Sequence, residues 1–210
     1  MSSTLDEFLS NTNWNINKKN KKLLKVLREA YTCGVPALIA KSLTDRLKTA
    51  GEYDFYLGTP PQELRLIASY LITEFNNEPP IIIQLLPTLW KRHGREDALL
   101  YGIILANINP ELLSENIWMF FANSLRKKEP ADDIISVCEE LVKAKHPFPE
   151  IEILIDFYER GGIFQQYILF ILFQKHKKNL KLNEKEIELI KKCPSPTDLS
   201  NRIKLRMINN

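Results

Sequence analysis

Apolar residues recur at helical spacing along nearly the whole chain, and proline and glycine interrupt the pattern at short intervals. In "LLKVLREAY" Leu23, Leu24, Leu27 and Tyr31 share one side of a helix. In "ALIAKSLTDRL" Leu38, Ile39, Leu43 and Leu47 do the same and are expected to be buried. "LRLIASYLITEF", "DALLYGIILANI", "NIWMFFANSL", "IISVCEELV", "IEILIDFYER" and "QQYILFILFQKH" repeat the pattern. Sustained alternation is absent, and the apolar run "IIIQLL" leads straight into Pro87, so strands are not expected. Gly34, Gly51, Gly58, Gly94, Gly161 and Gly162 fall between helical patterns, as do most prolines. Gly102 alone lies inside a strong helix, at roughly 1 kcal/mol against alanine; close approach of a neighbouring helix would be reason enough.

These features predict an all-α chain of about ten short helices. Helix pairs recur at intervals of roughly 35–45 residues, which suits HEAT-type repeats. The expected fold is an α-α superhelix (solenoid) of HEAT-like helix pairs over residues 1–210, as one domain, with 1–16 a loosely ordered N-terminal segment.

A hydrophobic content of 44% and a charged content of 26% argue against disorder. No apolar run reaches the roughly 18–20 residues of a membrane span, so no membrane partner is expected. "MSSTLDEFLSNTNW" lacks a basic start followed by an apolar core, which predicts a cytoplasmic protein. Cys33, Cys138 and Cys193 show no CxxC spacing, and His93, His146 and His176 form no ligand pattern with them. No metal or cofactor is therefore expected, and the cysteines read as reduced and structural. No Gly-rich phosphate loop or Ser-His-Asp order is present.

The net charge of +3 is mild, but its distribution is uneven. "NKKNKKLLKVLR" and "KHKKNLK" are basic clusters that could follow phosphates by counterion release, or form solvated helix faces. In "YLGTPPQELRLIASYLI" a glycine and two prolines precede a helix carrying Arg65 near its start. A cation gains nothing from the macrodipole there, so a carboxylate on an adjacent helix or a phosphate is its expected partner. Trp90 and Trp118 lie on apolar faces and read as core, while Trp14 stands in a polar segment.

Three stretches together resemble the DNA alkylation-repair glycosylases built of HEAT-like repeats (the AlkD-like family). The first is the aromatic-Leu57-Gly58 turn leading through Pro60 and Pro61 to Arg65. The second is "LWKRHGREDALLYGIIL", with Leu89, Trp90 and Glu96 at corresponding places. The third is "GIFQQYILFILFQKHKK", with its Phe-Gln step toward a basic end. The resemblance covers Tyr56–Lys178. It implies duplex DNA, intact or damaged, as partner, and a carboxylate at Asp132 or Asp133 stabilising charge on the sugar as a cationic base leaves. Glu129, Pro130 and Ala131 stand where the family carries aromatics, Tyr167 where it carries an arginine, and Met207 near its final tryptophan.

The expected function is therefore DNA binding with weak or no base excision. Arg65, Lys91, Arg92, Arg95, Lys175, Lys177 and Lys178 are the candidate phosphate contacts. Asp133 is the candidate catalytic group, with Gln166 and Tyr167 beside it at the centre of a groove. The alternatives are an active glycosylase releasing cationic alkylated purines, and a non-enzymatic scaffold binding a protein partner in a concave surface. For each candidate a plain structural role competes. Asp132 and Asp133 would sit in a helix's first turn, where the macrodipole favours acids.

Overall fold

The computed structural model describes residues 4–14, 18–33, 35–50 and 53–209. Among them are twelve α-helices, and the chain divides into two compact units, Met1–Leu112 and Leu113–Asn210. The all-α expectation holds. Among the described residues the one β-type feature is an isolated parallel bridge between Phe55 and Gly94. No described helix is long and apolar enough to cross a membrane.

The first unit contains α1 (Thr4–Asn11), α2 (Asn20–Thr32), α3 (Ala37–Ala50), α4 (Pro61–Glu74), α5 (Pro79–Arg92) and α6 (Arg95–Asn107). Its centre is α6, buried on all sides from Ala98 to Ala106 apart from a half-buried Leu99, with α4 and α5 packed against it. A helix apolar all round can only be stable when others surround it. Gly102 is one of its buried positions. Pro60 caps α4 and Pro61 opens it, and Pro79 and Pro80 open α5, where a missing N–H costs nothing. Pro87 lies inside α5, exposed, while Leu85, Leu86, Leu89 and Trp90 carry the buried stripe past it.

Two expectations change here. Thr4–Asn11 forms a helix with Leu5 and Leu9 buried, and Trp14 follows, edge-on to Phe75 at 6.2 Å, its Nε1 donating to the Leu9 carbonyl at 3.2 Å. A loosely ordered segment was expected over 1–16; residues 4–14 are instead packed by these three apolar anchors. In α3, Leu38 is 81% and Ile39 51% exposed. The helix packs instead through Ala40, Leu43 and Thr44, whose hydroxyl donates to the Tyr56 carbonyl at 2.7 Å. Leu47's side chain, Gly34 and Gly51 lie outside the described residues.

The second unit contains α7 (Ile117–Ala122), α8 (Ala131–Lys143), α9 (Ile151–Arg160), α10 (Ile163–Lys177), α11 (Glu184–Lys192) and α12 (Asp198–Ile208). Again one helix is central. α10 is buried from Tyr167 to Leu172, and α8, α9 and α12 pack around it. Trp118 is fully buried and donates from Nε1 to the Pro147 carbonyl at 2.7 Å. Cys138 and Cys193 are free and buried, and Cys33 is free and half-buried.

Candidate functional site

The turn between α3 and α4 is built on a buried carboxylate. Gly58 has φ +84°, a conformation glycine adopts without strain. The turn aims successive N–H groups at one point, and Glu96 Oε1 accepts from Leu57 (3.0 Å), Gly58 (2.9 Å) and Thr59 (3.4 Å). Burial nevertheless pushes the Glu96 carboxyl above its ordinary range, so these bonds offset only part of the desolvation. Thr59 Oγ1 donates to the Tyr31 carbonyl at 2.8 Å. Tyr31 in turn donates its hydroxyl proton to Asp97 Oδ1 at 2.9 Å. The aromatic-Leu-Gly turn and the "GRED" segment, distant in sequence, are thus one hydrogen-bonded unit.

Arg92 belongs to this network. Its Nε donates to Asp97 Oδ2 at 2.6 Å, Nη2 to Oδ1 at 3.2 Å, and Nη1 to the Leu24 carbonyl at 3.0 Å. Expected among the phosphate contacts, it is instead a structural arginine. A bidentate pair with a buried carboxylate directs its donors inward.

Burial drives Asp97 up to about 6 against the pull of Arg92 and Tyr31. Because this lies above its ordinary 3.8, the folded chain holds the proton more tightly than the unfolded one. Asp97 therefore contributes most below about pH 4, and that contribution is lost as pH rises through about 6. Glu96, also raised, titrates beside it. In urea unfolding, the stability difference between wild type and Asp97→Asn should shift against wild type by about 2 kcal/mol between pH 4.5 and 7.5. A difference that stays flat with pH would show that Asp97 remains ionised throughout.

A basic strip lies beside this network. α2 buries Leu23, Val26, Leu27, Ala30 and Tyr31, which leaves Lys21, Lys25 and Arg28 exposed on its other side at spacings of four and three. α5 runs alongside: Asn20 Nδ2 donates to the Gln84 carbonyl at 3.1 Å, and Arg92 reaches Leu24 one turn later. Exposed Lys91 is one turn beyond Thr88, which Asn20 also touches at 3.4 Å. Arg28 lies 4.5 Å from the Phe55 ring centroid, Arg92 lies 5.2 Å from the same ring, and Arg95 lies 4.5 Å from that of Tyr56. Phe55 is seated end-on against Gly94, and the bridge bonds Asp54 N to His93 O (2.9 Å) and Arg95 N to Phe55 O (3.1 Å) fix it there. Among the described residues, Glu29, 4.0 Å from Lys25, and Asp54 are the exposed acids nearby in sequence.

Arg65 occupies a different place in this unit. Exposed on the second turn of α4, it lines a cleft of about 360 Å³ with Ser69, Ile72, Thr73, Ile103 and Asn107.

In the second unit the expected groove centre does not form. Tyr167 is fully buried, its hydroxyl donates to the Trp118 carbonyl at 3.2 Å, and its ring packs on Phe121 and Phe157 at 5.4 and 5.3 Å. It is a core residue because α10 is enclosed on every side. Gln166 is half-buried. Asp133 is 4% exposed in the first turn of α8, while its neighbour Asp132, the other candidate carboxylate, is exposed. Lys175 donates to Glu186 Oε1 at 2.6 Å, and Lys177 to Glu139 Oε1 at 2.8 Å. Of that basic cluster's three expected contacts, Lys175 and Lys177 are held in ion pairs, while Lys178 is exposed at the end of α10.

Sequence reading missed Phe55 and Tyr56 as arginine platforms, and the buried pair Glu96–Asp97. An acidic pair just after Gly94 was the available signal for the latter. Among the described residues no cluster of histidine, cysteine or acidic side chains could hold a metal. Compared with family models, curated proteins and solved structures, the chain matches none.

Proposed function

We propose that this chain is a HEAT-like helical-repeat protein whose first unit binds the phosphate backbone of nucleic acid, duplex DNA first, without base excision. The observation that carries this reading is the strip of Lys21, Lys25, Arg28, Lys91 and Arg95, with Arg28 and Arg95 held over aromatic faces. A guanidinium resting on a ring has lost much of its freedom before a phosphate arrives, and the edges that donate hydrogen bonds are not consumed by stacking. The strip's cations outnumber Glu29 and Asp54, so attraction to a polyanion is its net effect. Burial of Asp133 weighs against the glycosylase reading that takes it as the electrostatic catalyst, and leaves exposed Asp132 as the other position for that carboxylate.

Fluorescence anisotropy with a labelled duplex, intact or carrying an abasic-site analogue, tests the proposal across a salt series. Binding should weaken steeply with salt, with a logarithmic slope on the order of −3 to −4 if most of the strip contacts phosphate. The Lys25→Glu/Arg28→Glu variant should bind at least about tenfold more weakly and with a slope shallower by about 2. Absence of binding at low salt, or an unchanged slope in the variant, would sink the reading. Methylated DNA incubated with the protein should release no base; release abolished by Asp133→Asn would restore the glycosylase alternative.

A further inference from the structure

In the second unit α9 and α11 pack against one another, and a cleft of about 330 Å³ lies between them. α9 lines it with Ile151, Ile155 and Tyr158, and α11 with Lys185, Glu188, Leu189 and Lys192. Within each set the residues recur at spacings of three and four, so each set is one flank of its helix. Both flanks lie wholly inside their helices and run about 10 Å, or about two turns. Leu154 and Phe157 on α9 and Ile190 on α11 are fully buried, so the groove flanks are separate from the faces that hold the core. The two walls differ. The α9 wall is apolar, and Ile155 stands 40% exposed in the middle of it. The α11 wall is charged. Lys192 pairs there with Glu188 at 2.7 Å, while Lys185 makes no ion pair among the described residues.

We propose that this groove docks a short amphipathic helix of a protein partner, with apolar residues at i, i+4 and i+7 against α9 and an acidic residue against Lys185. This goes beyond the nucleic-acid reading and uses no residue of the strip. Charge sets the partner's sign: a carboxylate complements Lys185 and leaves the Glu188–Lys192 pair as it is. The walls set its conformation. Both are helices whose main-chain groups bond internally, so an extended peptide would find no backbone to pair with. It would turn its own N–H and C=O groups onto Ile151, Ile155 and Leu189. A helix satisfies its own backbone and offers a ridge of side chains to a groove between two others. Ile155, Lys185, Glu188 and Lys192 are all exposed, so the groove encloses too little for a small molecule, which is held by having most of its surface buried. Exposed Glu152 and Glu159 follow Ile151 and Tyr158 on α9 and, with Glu188, oppose a polyanion or an anionic membrane. The same acids confine the partner's carboxylates to its α11 side.

Fluorescence polarisation at low salt tests this with the full chain and labelled helical peptides. Each peptide carries leucines at i, i+4 and i+7, and they differ only in one flank, which is glutamate, glutamine or lysine. The glutamate peptide should bind about fivefold tighter than the lysine peptide, with glutamine between them. Lys185→Glu should reverse that order. Ile155→Asp should weaken the glutamate peptide about tenfold or more. Both positions are exposed, so thermal unfolding should not change. Equal affinity for the three flanks, an unreversed order in Lys185→Glu or undiminished binding in Ile155→Asp overturns the proposal. So does equal affinity for a peptide of the same composition with its leucines scattered around the helix. Sedimentation of the free chain addresses a second copy as occupant: a dimer that Ile155→Asp converts to monomer would assign the groove to self-association and overturn the proposal. Lys25→Glu/Arg28→Glu should leave peptide affinity unchanged, and Lys185→Glu should leave duplex affinity unchanged, so the two readings fail separately.

Discussion

Glu96→Ala should destabilise the first unit by about 3–5 kcal/mol, while Glu96→Gln should stay within about 1 kcal/mol of wild type. The side chain is fully buried, and one of its oxygens serves three consecutive backbone N–H groups, those of Leu57, Gly58 and Thr59. Alanine would strand all three, those of Leu57 and Thr59 at buried positions and that of Gly58 at a half-buried one, and each stranded buried donor costs on the order of 1–3 kcal/mol. Relaxation of the turn would recover part of that. Glutamine keeps an acceptor oxygen at the same place and removes a desolvated charge. Its new NH₂ group would fall where Oε2 now lacks a hydrogen-bond partner, which offsets some of the gain. Urea unfolding followed by circular dichroism separates the cases. Against a typical total of about 5–15 kcal/mol, the alanine variant would be close to unfolding. Equal stability of the two variants would mean that water can satisfy the turn.

The all-α class was legible because the helices announce themselves by spacing, and glycines and prolines punctuate several of the joins between them. Gly58, Gly94, Gly161 and Gly162 all lie between helices, and Trp90 and Trp118 are core residues as their apolar surroundings implied. Which face a helix buries was less legible. The pattern in α3 marks Leu38 and Ile39 as inward, yet the helix turns Ala40, Leu43 and Thr44 to the body, because Thr44 is tied to the Tyr56 backbone. Periodicity fixes a face, but tertiary hydrogen bonds select among competing ones. Tyr167 illustrates the opposite error. In "FQQYILFILF" the polar glutamines look like the edge of a groove, but a run apolar all round from Tyr167 to Leu172 is the mark of an enclosed helix.

Charge was legible in kind and not in use. Lys91, Arg92 and Arg95 are near neighbours in sequence, yet Arg92 faces Asp97 while Lys91 is exposed and Arg95 lies over Tyr56. Lys91 and Arg92 are adjacent on α5 and so point about 100° apart, and Arg95 opens a different helix, α6. Arg28 was visible only as a member of a basic cluster. What singles it out is Phe55, a residue 27 positions away that no local pattern connects to it.

Gly94→Ala should cost about 2–3 kcal/mol and weaken nucleic-acid binding together with stability. Gly94 caps α6 with φ −90° and ψ 144°, angles open to any residue, so backbone strain has no part in the effect. The penalty is steric. A Cβ built there would stand 1.9 Å from Phe55 Cζ and 2.3 and 2.4 Å from the two Cε atoms, so the ring cannot stay. Phe55 is itself the platform for Arg28 and Arg92, and moving it unseats both. Shortening the ring should therefore rescue the glycine variant. Gly94→Ala/Phe55→Leu should be less destabilised than the sum of its parts by about 1–2 kcal/mol, a coupling expected only of residues in direct contact. Duplex affinity should not recover in the double variant, since leucine offers no π face to Arg28. Rescue of stability without rescue of binding would separate the two roles of Phe55: filling the space above Gly94 needs only apolar volume, whereas holding a guanidinium ready for phosphate needs the ring. Strictly additive costs would instead mean that α6 shifts to admit the methyl group, leaving the arginine platform standing and the duplex affinity of Gly94→Ala close to wild type.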